Sequence, residues 1–218
     1  MSEIIRVEHL KYVYNPGMPD ETTALDDVSF RVEEGDFVGI IGSTGSGKST
    51  FVSLIPRLYD PDAGEVLVDG INVKELSLYG LRESVAVVLQ KNTLFSGTIA
   101  ENLRWGNEEA SDEALVQACR IAQADSFIRA FPDGYETQIG QGGGNLSGGQ
   151  KQRICIARAL LKKPKIMILD DSTSAVDTAT DAAIRRAFRT QLSHVTKLVI
   201  AQRISSVMDA DKILVMDE

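Results

Sequence analysis

Short apolar runs alternate with stretches of helical spacing along most of the chain. The runs typical of strands are found at residues 4–14, 27–32, 37–41, 65–69, 84–89, 165–169, 198–201 and 213–216. Apolar residues recur every three or four positions, which predicts helices, at about 49–58, 98–130, 148–162 and 178–192. This alternation predicts an α/β fold with a mostly parallel sheet flanked by helices.

Two regions depart from that alternation. The strands at 4–14 and 27–32 are separated by a turn-rich insert at 15–20, which predicts an N-terminal antiparallel β region. The long helical stretch predicts a helical subdomain at about 91–159 within one domain, 1–218, whose core covers about 1–90 and 160–218. Because the sequence stops directly after a strand, we expect a fragment of a longer chain.

A phosphate-binding motif follows the strand at 37–41. Its residues fit the pattern G-x-x-x-x-G-K-[ST] and are Gly42, Ser43, Thr44, Gly45, Ser46, Gly47, Lys48, Ser49 and Thr50. Inward backbone N–H groups and a helix N-terminus would hold phosphates, Lys48 would reach the terminal phosphates, and Ser49 would hold Mg²⁺. A chance match in a Gly/Ser-rich connection is the alternative, and the flanking strand and helix argue against it. The motif therefore predicts binding of a nucleoside triphosphate.

Composition narrows the function classes. The 23 basic and 31 acidic residues give a net charge of −8, which argues against a nucleic-acid-binding surface. Cys119 and Cys155 lie in separate predicted helices and fit no metal spacing, so we expect reduced, cytosolic thiols. No apolar run reaches the roughly 18 residues of a membrane span. We expect Trp105, the only tryptophan, to pack rather than to bind a ligand.

A second motif opens the helix predicted at 148–162. Its residues are Leu146, Ser147, Gly148, Gly149 and Gln150. A serine N-cap and two glycines at a helix start form a further anion site. Because one such pocket is enough for one nucleotide, two of them suggest that each nucleotide is sandwiched between two chains.

With Gln90 and the phosphate loop in the same order, the sequence resembles the ATP-binding cassette (ABC) family over nearly its whole length. The resemblance implies a P-loop NTPase fold, ATPase activity with ATP and Mg²⁺, and a second ABC domain as partner. It makes Tyr14 the aromatic that stacks on adenine, although Tyr14 taken alone is more often an ordinary strand residue. It also makes Gln90 the sensor of Mg²⁺ and of the transport partner, and Asp170 the carboxylate that orients Mg²⁺ through water.

The resemblance assigns the contacts between chains as well. Ser174 and Asp177 belong to a loop that crosses the dimer interface, and the motif at 146–150 closes on the γ-phosphate of the partner's ATP. The segment 94–102 is similar to one that faces the coupling helices of membrane domains in exporters. We therefore expect an exporter domain that is attached to transmembrane domains at the cytoplasmic face of the cell membrane.

Two positions depart from an active member of the family. Asp171 replaces the glutamate that polarises the attacking water, and Gln202 replaces the switch histidine. A displacement of about 1 Å in a positioning group can lower a rate on the order of a hundredfold, and glutamine cannot become cationic. Gln141 also stands where exporters often carry a glutamate. We infer the degenerate half of a heterodimeric exporter, weakly active alone, whose partner carries the glutamate and the histidine.

Three alternatives stay open at this point. The chain can be a regulatory module that clamps ATP without hydrolysing it, which Asp171 and Gln202 favour. It can be a soluble family member that acts in repair or translation, which the acidic charge and the segment 94–102 disfavour. It can also form a homodimer with weak sites.

Overall fold

The computed structural model describes residues 2–171 and 175–217. These residues fall into two compact units, Met1–Val85 with His194–Glu218 and Ala86–Ser193. The helical subdomain expected at about 91–159 lies inside the second unit.

The predicted strands and helices form, with bounds that differ by a few residues. The strands are β1 (Glu3–Tyr14), β2 (Thr22–Glu33), β3 (Phe37–Gly42), β4 (Ala63–Val68), β5 (Ile71–Asn72), β6 (Val85–Val88), β7 (Gly97–Thr98), β8 (Gln138–Ile139), β9 (Ile166–Asp170), β10 (Thr196–Ile200) and β11 (Lys212–Met216). The α-helices are α1 (Lys48–Leu54), α2 (Leu78–Ser84), α3 (Ile99–Arg104), α4 (Asp112–Ile121), α5 (Asp125–Arg129), α6 (Gly148–Leu161) and α7 (Thr178–Gln191).

The first unit contains the expected antiparallel β region. Its four strands have the order β2-β1-β4-β5. Val7 of β1 pairs with Phe30 of β2 on one side and with Val66 of β4 on the other. Val7, Leu10 and Val66 are buried, so one face of this sheet belongs to the core.

The same unit holds the parallel strands that lead to the phosphate loop. β3 lies between β11 and β10, and Ile40 of β3 pairs with Ile200 of β10 and with Leu214 of β11. Residues 37–41 of β3 and 198–200 of β10 form apolar runs and are mostly buried, which is typical of parallel strands covered on both faces. The parallel sheet and its helices confirm the predicted α/β class.

Helix α1 is shorter than its apolar spacing predicts. It ends at Leu54, and Arg57 adopts a left-handed backbone with φ 53°, so Leu58 is outside the helix and half-exposed. The carbonyl of Ser53 accepts the N–H of Leu58 at 3.0 Å, which closes the turn after the helix.

The second unit packs its helices around α6. Helices α3 and α4 contact α6, and α7 contacts α4. Ile154, Ile156 and Ala157 of α6 are fully buried. Cys119 in α4 and Cys155 in α6 are free and buried, and burial raises the pKa of the Cys119 thiol to about 12.

Trp105 packs on a neighbouring ring and stays largely exposed. Its side chain is 67% exposed at the end of α3. Its ring stacks on that of Phe95, with 4.6 Å between the ring centroids. Trp105 therefore contributes to the surface of the second unit.

None of the helices in the described part of the chain is long and apolar enough to cross a membrane.

Candidate functional site

The phosphate loop begins where β3 ends. Gly42 has φ 154°, and a Cβ at this position would lie 2.1 Å from the carbonyl oxygen of Met216. Only glycine fits there, because the neighbouring strand β11 leaves no room for a side chain. Gly45 and Gly47 also have positive φ angles, of 95° and 81°, and Gly47 directly precedes α1.

Lys48 folds over the loop that precedes it. Its Nζ donates to the carbonyl oxygen of Gly42 at 3.0 Å, to the Oγ of Ser46 at 3.0 Å and to the carbonyl oxygen of Ser43. Ser46 is itself buried, and its hydroxyl donates to the Ser43 carbonyl at 3.0 Å. The loop is thus closed by its own side chains, with one ammonium group among oxygen atoms.

Tyr14 lies beside the helix that follows the loop. Its hydroxyl shares a 3.0 Å hydrogen bond with the buried hydroxyl of Thr50. Its ring meets those of Tyr12 and Tyr59 edge-on, at centroid distances of 4.9 and 6.5 Å. This tyrosine cluster connects the end of β1 to α1, and the sequence gives no pattern from which the Tyr14–Thr50 bond could be found.

The second unit brings Gln90 and Asp171 together. Nε2 of Gln90 donates to Oδ2 of Asp171 at 3.2 Å. Asp171 is buried and adopts φ 46°, directly after β9 ends at Asp170. Gln202 belongs to the first unit, where it follows β10 and is exposed.

Helix α6 begins as the second motif predicts. Ser147 is its N-cap: its Oγ accepts the N–H of Gln150 at 3.2 Å, and Oε1 of Gln150 accepts the N–H of Ser147 at 2.9 Å. The spacing S-x-x-Q predicts such a reciprocal capping box. Interpretation of the motif only as an N-cap and an anion site does not use this spacing. Ser147 and Gly148 are exposed, so the start of this helix is accessible.

Glycine at 149 is required by packing. A Cβ there would lie 2.8 Å from the carbonyl oxygen of Ala175. The N–H of Ala175 donates in turn to Oε1 of Gln152 at 3.1 Å. The first turns of α6 therefore lie against the chain just before α7.

Asp177 is the N-cap of α7. Its Oδ1 accepts the N–H of Thr180 at 2.9 Å, and hydrogen bonding to Thr180 lowers the pKa of the Asp177 carboxyl. Ser174, predicted to belong to the same loop, lies outside the described residues. Gln141 is exposed at the start of a 3₁₀ turn, Gln141–Gly143.

The exporter-like segment 94–102 is organised by one buried amide. Asn102 is 1% exposed; its Oδ1 accepts the N–H of Phe95 at 2.8 Å, and its Nδ2 donates to the carbonyl of Phe95 at 2.9 Å. Leu94 is buried, whereas Phe95 is 43% exposed beside Trp105. The sequence indicated the segment, and the structure adds that Asn102 fixes its shape.

The residues predicted to hold Mg²⁺ supply suitable donor atoms. Ser49, Gln90 and Asp170 offer a hydroxyl, an amide and a carboxylate oxygen. Mg²⁺ prefers oxygen ligands and usually binds through one or two carboxylates together with substrate phosphates and water. Within the described residues, no three His, Cys, Asp or Glu side chains form a metal-binding cluster. Taken one by one, these side chains are of types that can contact Mg²⁺.

A buried parallel strand that enters a glycine-rich loop and then a helix defines a P-loop NTPase. The sequence profile of the family described as "ABC transporter" matches residues 25–174. The chain therefore belongs to the ABC transporter family, whose ATPase domain binds ATP.

Its relatives are longer proteins. The ABC transporter ATP-binding protein YfiB of Bacillus subtilis is 47% identical over 218 residues, which are 100% of this chain and 37% of YfiB. The ATP-dependent lipid A-core flippase of Chromobacterium violaceum is 44% identical over 198 residues, 91% of this chain and 34% of the flippase. The chain thus spans about a third of the length of these relatives.

A solved structure has the same fold. The structure of a bacterial Atm1-family ABC exporter with ATP bound matches with a TM-score of 0.93 and 37% identity, over 99% of this chain and 37% of that chain.

Proposed function

We propose that this chain is the ATP-binding domain of an ABC exporter, and that it powers export by ATP-driven dimerisation with a second nucleotide-binding domain. The similarity to a flippase and to an exporter supports this assignment. In this proposal the domain works at the cytoplasmic face of a membrane, attached to transmembrane domains, and it binds no nucleic acid.

The first unit would bind most of the nucleotide. Backbone N–H groups of residues 42–50 and the Lys48 ammonium would hold the phosphates, and the Tyr14 ring would stack on adenine. The bond between Tyr14 and Thr50 supports this, because it holds the ring beside the helix that the loop begins. Ser49, Gln90 and Asp170 would hold Mg²⁺, which neutralises charge on the phosphates when bound.

The main support for slow hydrolysis is the aspartate at position 171. Its carboxylate is one methylene shorter than that of glutamate, and it is buried and bonded to Gln90. A side chain held in this way has little freedom to reach an attacking water. Gln202 in turn would offer a neutral hydrogen bond to the γ-phosphate instead of a cation, which stabilises developing charge less.

The exposed start of α6 would complete the partner's site. A hydroxyl that accepts one hydrogen bond can still donate its proton. Ser147 can therefore cap the helix and donate to a phosphate oxygen at the same time. The N–H groups and partial positive charge of the 14-residue helix add to this site. Asp177, at the exposed start of α7, would lie in the dimer interface with Ser174.

The exposed ring pair supports a docking surface for transmembrane domains. Phe95 belongs to the exporter-like segment, and its exposed ring is enlarged by that of Trp105. Stacked aromatic rings on a surface are typical anchors of protein interfaces. Asn102 keeps Phe95 in this position from inside the unit.

Crossed variants in the intact transporter test the division of roles. We expect Ser147→Ala to abolish ATP turnover, because it damages the partner's active site. We expect Lys48→Ala in the same chain to leave much of the turnover, because it damages only the slow site. The measurement is steady-state release of phosphate, and the reverse ranking would reject the proposed roles.

A restoring pair tests the slow site itself. Asp171→Glu with Gln202→His should leave the Mg-ATP affinity unchanged and raise the rate by up to about a hundredfold, since the positioning group regains its reach. Sedimentation with Mg-ATP serves as the control that dimers form. An unchanged rate of hydrolysis in protein that does form dimers would contradict the proposal.

A non-hydrolysing clamp is the second candidate, favoured by the same two residues. Single-turnover measurement with the unmodified chain separates the two functions. Slow conversion of bound ATP supports a weak ATPase, whereas ATP that stays intact while dimers persist supports the clamp.

A further inference from the structure

The segment that follows Gln90 has no regular secondary structure, yet it is held firmly. β6 ends at Val88 and β7 begins at Gly97. Between them, the Gln90 side chain donates to Asp171. What holds this segment therefore decides where the Gln90 amide lies.

Two side chains of α6 converge on one carbonyl group in the segment. Nη2 of Arg158 donates to the carbonyl oxygen of Thr93 at 3.1 Å, and Sγ of Cys155 lies 3.9 Å from the same oxygen. Nη2 of Arg158 also lies 3.4 Å from that sulfur. Residues three apart share one face of a helix, so a single face of α6 holds Thr93. Hydrogen bonds from a charged guanidinium are roughly twice as strong as neutral ones.

The base of the Arg158 side chain is fixed as well. A Cβ at Gly106 would lie 2.0 Å from the carbonyl oxygen of Arg158 and 3.3 Å from its Cγ. The backbone just after α3 therefore packs directly on α6 at this residue. Asn102 of α3 in turn holds the N–H and carbonyl of Phe95, so the segment is anchored at both Thr93 and Phe95.

We propose that Arg158 is a positioning residue that ties the segment carrying Gln90 to α6, the helix that begins at Ser147. Only two residues separate Gln90 from the Thr93 carbonyl. A helix moves as a rigid body, so a shift of the Ser147 end carries Arg158 with it and moves the Gln90 amide relative to Asp171. Contact between the start of α6 and the partner's ATP would thus be transmitted to the Gln90–Asp171 pair.

This inference rests on the proposed function, both for the role of Gln90 beside the nucleotide and for the contact of α6 with the partner's ATP. Burial raises the pKa of the Cys155 thiol, which keeps it protonated and able to donate to Thr93. The Arg158 bond is the stronger of the two contacts, so Arg158 is the residue to vary.

Trp105 provides a local readout. It is the only tryptophan in the chain, and it stacks on Phe95 within the anchored segment. The experiment titrates the chain with Mg-ATP and records both the heat of binding and the change in Trp105 emission. Each variant is compared with its own nucleotide-free emission, because Arg158 lies close to the residue after Trp105.

We expect Arg158→Gln to bind Mg-ATP within about twofold of the unmodified affinity, a free-energy change of about 0.4 kcal/mol. We expect it to lose most of the emission change, because the segment no longer follows α6. Arg158→Lys keeps one charged donor and should retain an intermediate change, which provides a test if the glutamine variant fails to fold. Thr93→Ala keeps the carbonyl group and is the matched control, with an unmodified response.

Other results of the same titrations would contradict the positioning role of Arg158. A full emission change in Arg158→Gln, or no change in the unmodified chain despite binding heat, would overturn the positioning role. A residue that only stabilises the fold would lower the melting temperature and leave the emission change intact. Absence of binding heat in the unmodified chain would overturn the proposed function itself, and the positioning role with it.

Discussion

At the scale of single residues, side chains that cap or tether the backbone stand beside those expected to bind ATP. Ser147 caps α6, Asp177 caps α7, and Gln90 bonds to Asp171. The sequence identified these residues through motif spacing, because a motif fixes residue types at set positions. It did not indicate the anchoring roles of Asn102 and Arg158, because each acts through contacts that only the folded chain creates.

Tyr14→Phe separates the ring from its hydroxyl. Loss of the hydrogen bond to Thr50 should lower the free energy of unfolding by about 1 kcal/mol, measured by urea denaturation. The Mg-ATP affinity should fall by less than about threefold, because the ring that stacks on adenine remains. Tyr14→Ala is the control and should weaken binding about tenfold. Equal binding losses in the two variants would contradict stacking by this ring.

At the scale of elements, the phosphate loop depends on glycine for two different reasons. Gly42 has no room for a side chain beside Met216, whereas Gly45 needs only its positive φ, because nothing lies within 4 Å of an added Cβ. Gly42→Ala should lower the free energy of unfolding by about 3 kcal/mol or more, and Gly45→Ala by about 1 kcal/mol. Urea denaturation of both variants measures the difference, and equal losses would refute this account.

The cap of α7 predicts a dependence on pH. Hydrogen bonding to Thr180 lowers the pKa of Asp177 in the folded chain below its ordinary value of 3.8. A carboxyl with a lowered pKa stabilises the fold above its unfolded pKa, and this contribution is lost as the pH falls through the folded pKa. The unmodified chain should therefore be more stable than Asp177→Asn above about pH 5, and this difference in stability should disappear between about pH 5 and about pH 3. Thermal melting across this range provides the measurement, and a constant difference would contradict the prediction.

The positions of the strands and helices along the chain were largely predictable from the sequence, whereas the residues at which they end were less so. The strands at 37–41 and 198–201 correspond to β3 and β10, because buried parallel strands carry uninterrupted apolar runs. Helix α1 was predicted too long, because Leu58 continues its spacing although Arg57 turns left-handed. Trp105 stacks on Phe95, but the sequence did not reveal that both rings are exposed, because exposure depends on contacts that only the folded chain creates.

At the scale of the whole molecule, charge opposes the pairing of identical copies. Each copy carries a net charge of −8, so two of them repel at long range. Self-association in Mg-ATP should therefore strengthen when the ionic strength rises from about 0.05 M to about 0.5 M. Analytical ultracentrifugation measures this. Weaker association at high salt would indicate that complementary charges at the interface outweigh the net repulsion.

The backbone at Asp171 has a consequence for attempts to make this chain a faster enzyme. Its φ of 46° lies in the left-handed region, which aspartate accepts more readily than glutamate does. Asp171→Glu imposes that conformation on a residue less suited to it, at a cost of up to about 1 kcal/mol. We therefore expect gains in catalytic speed at this position to be accompanied by a lower melting temperature, so that activity and thermal robustness are in opposition at a single residue.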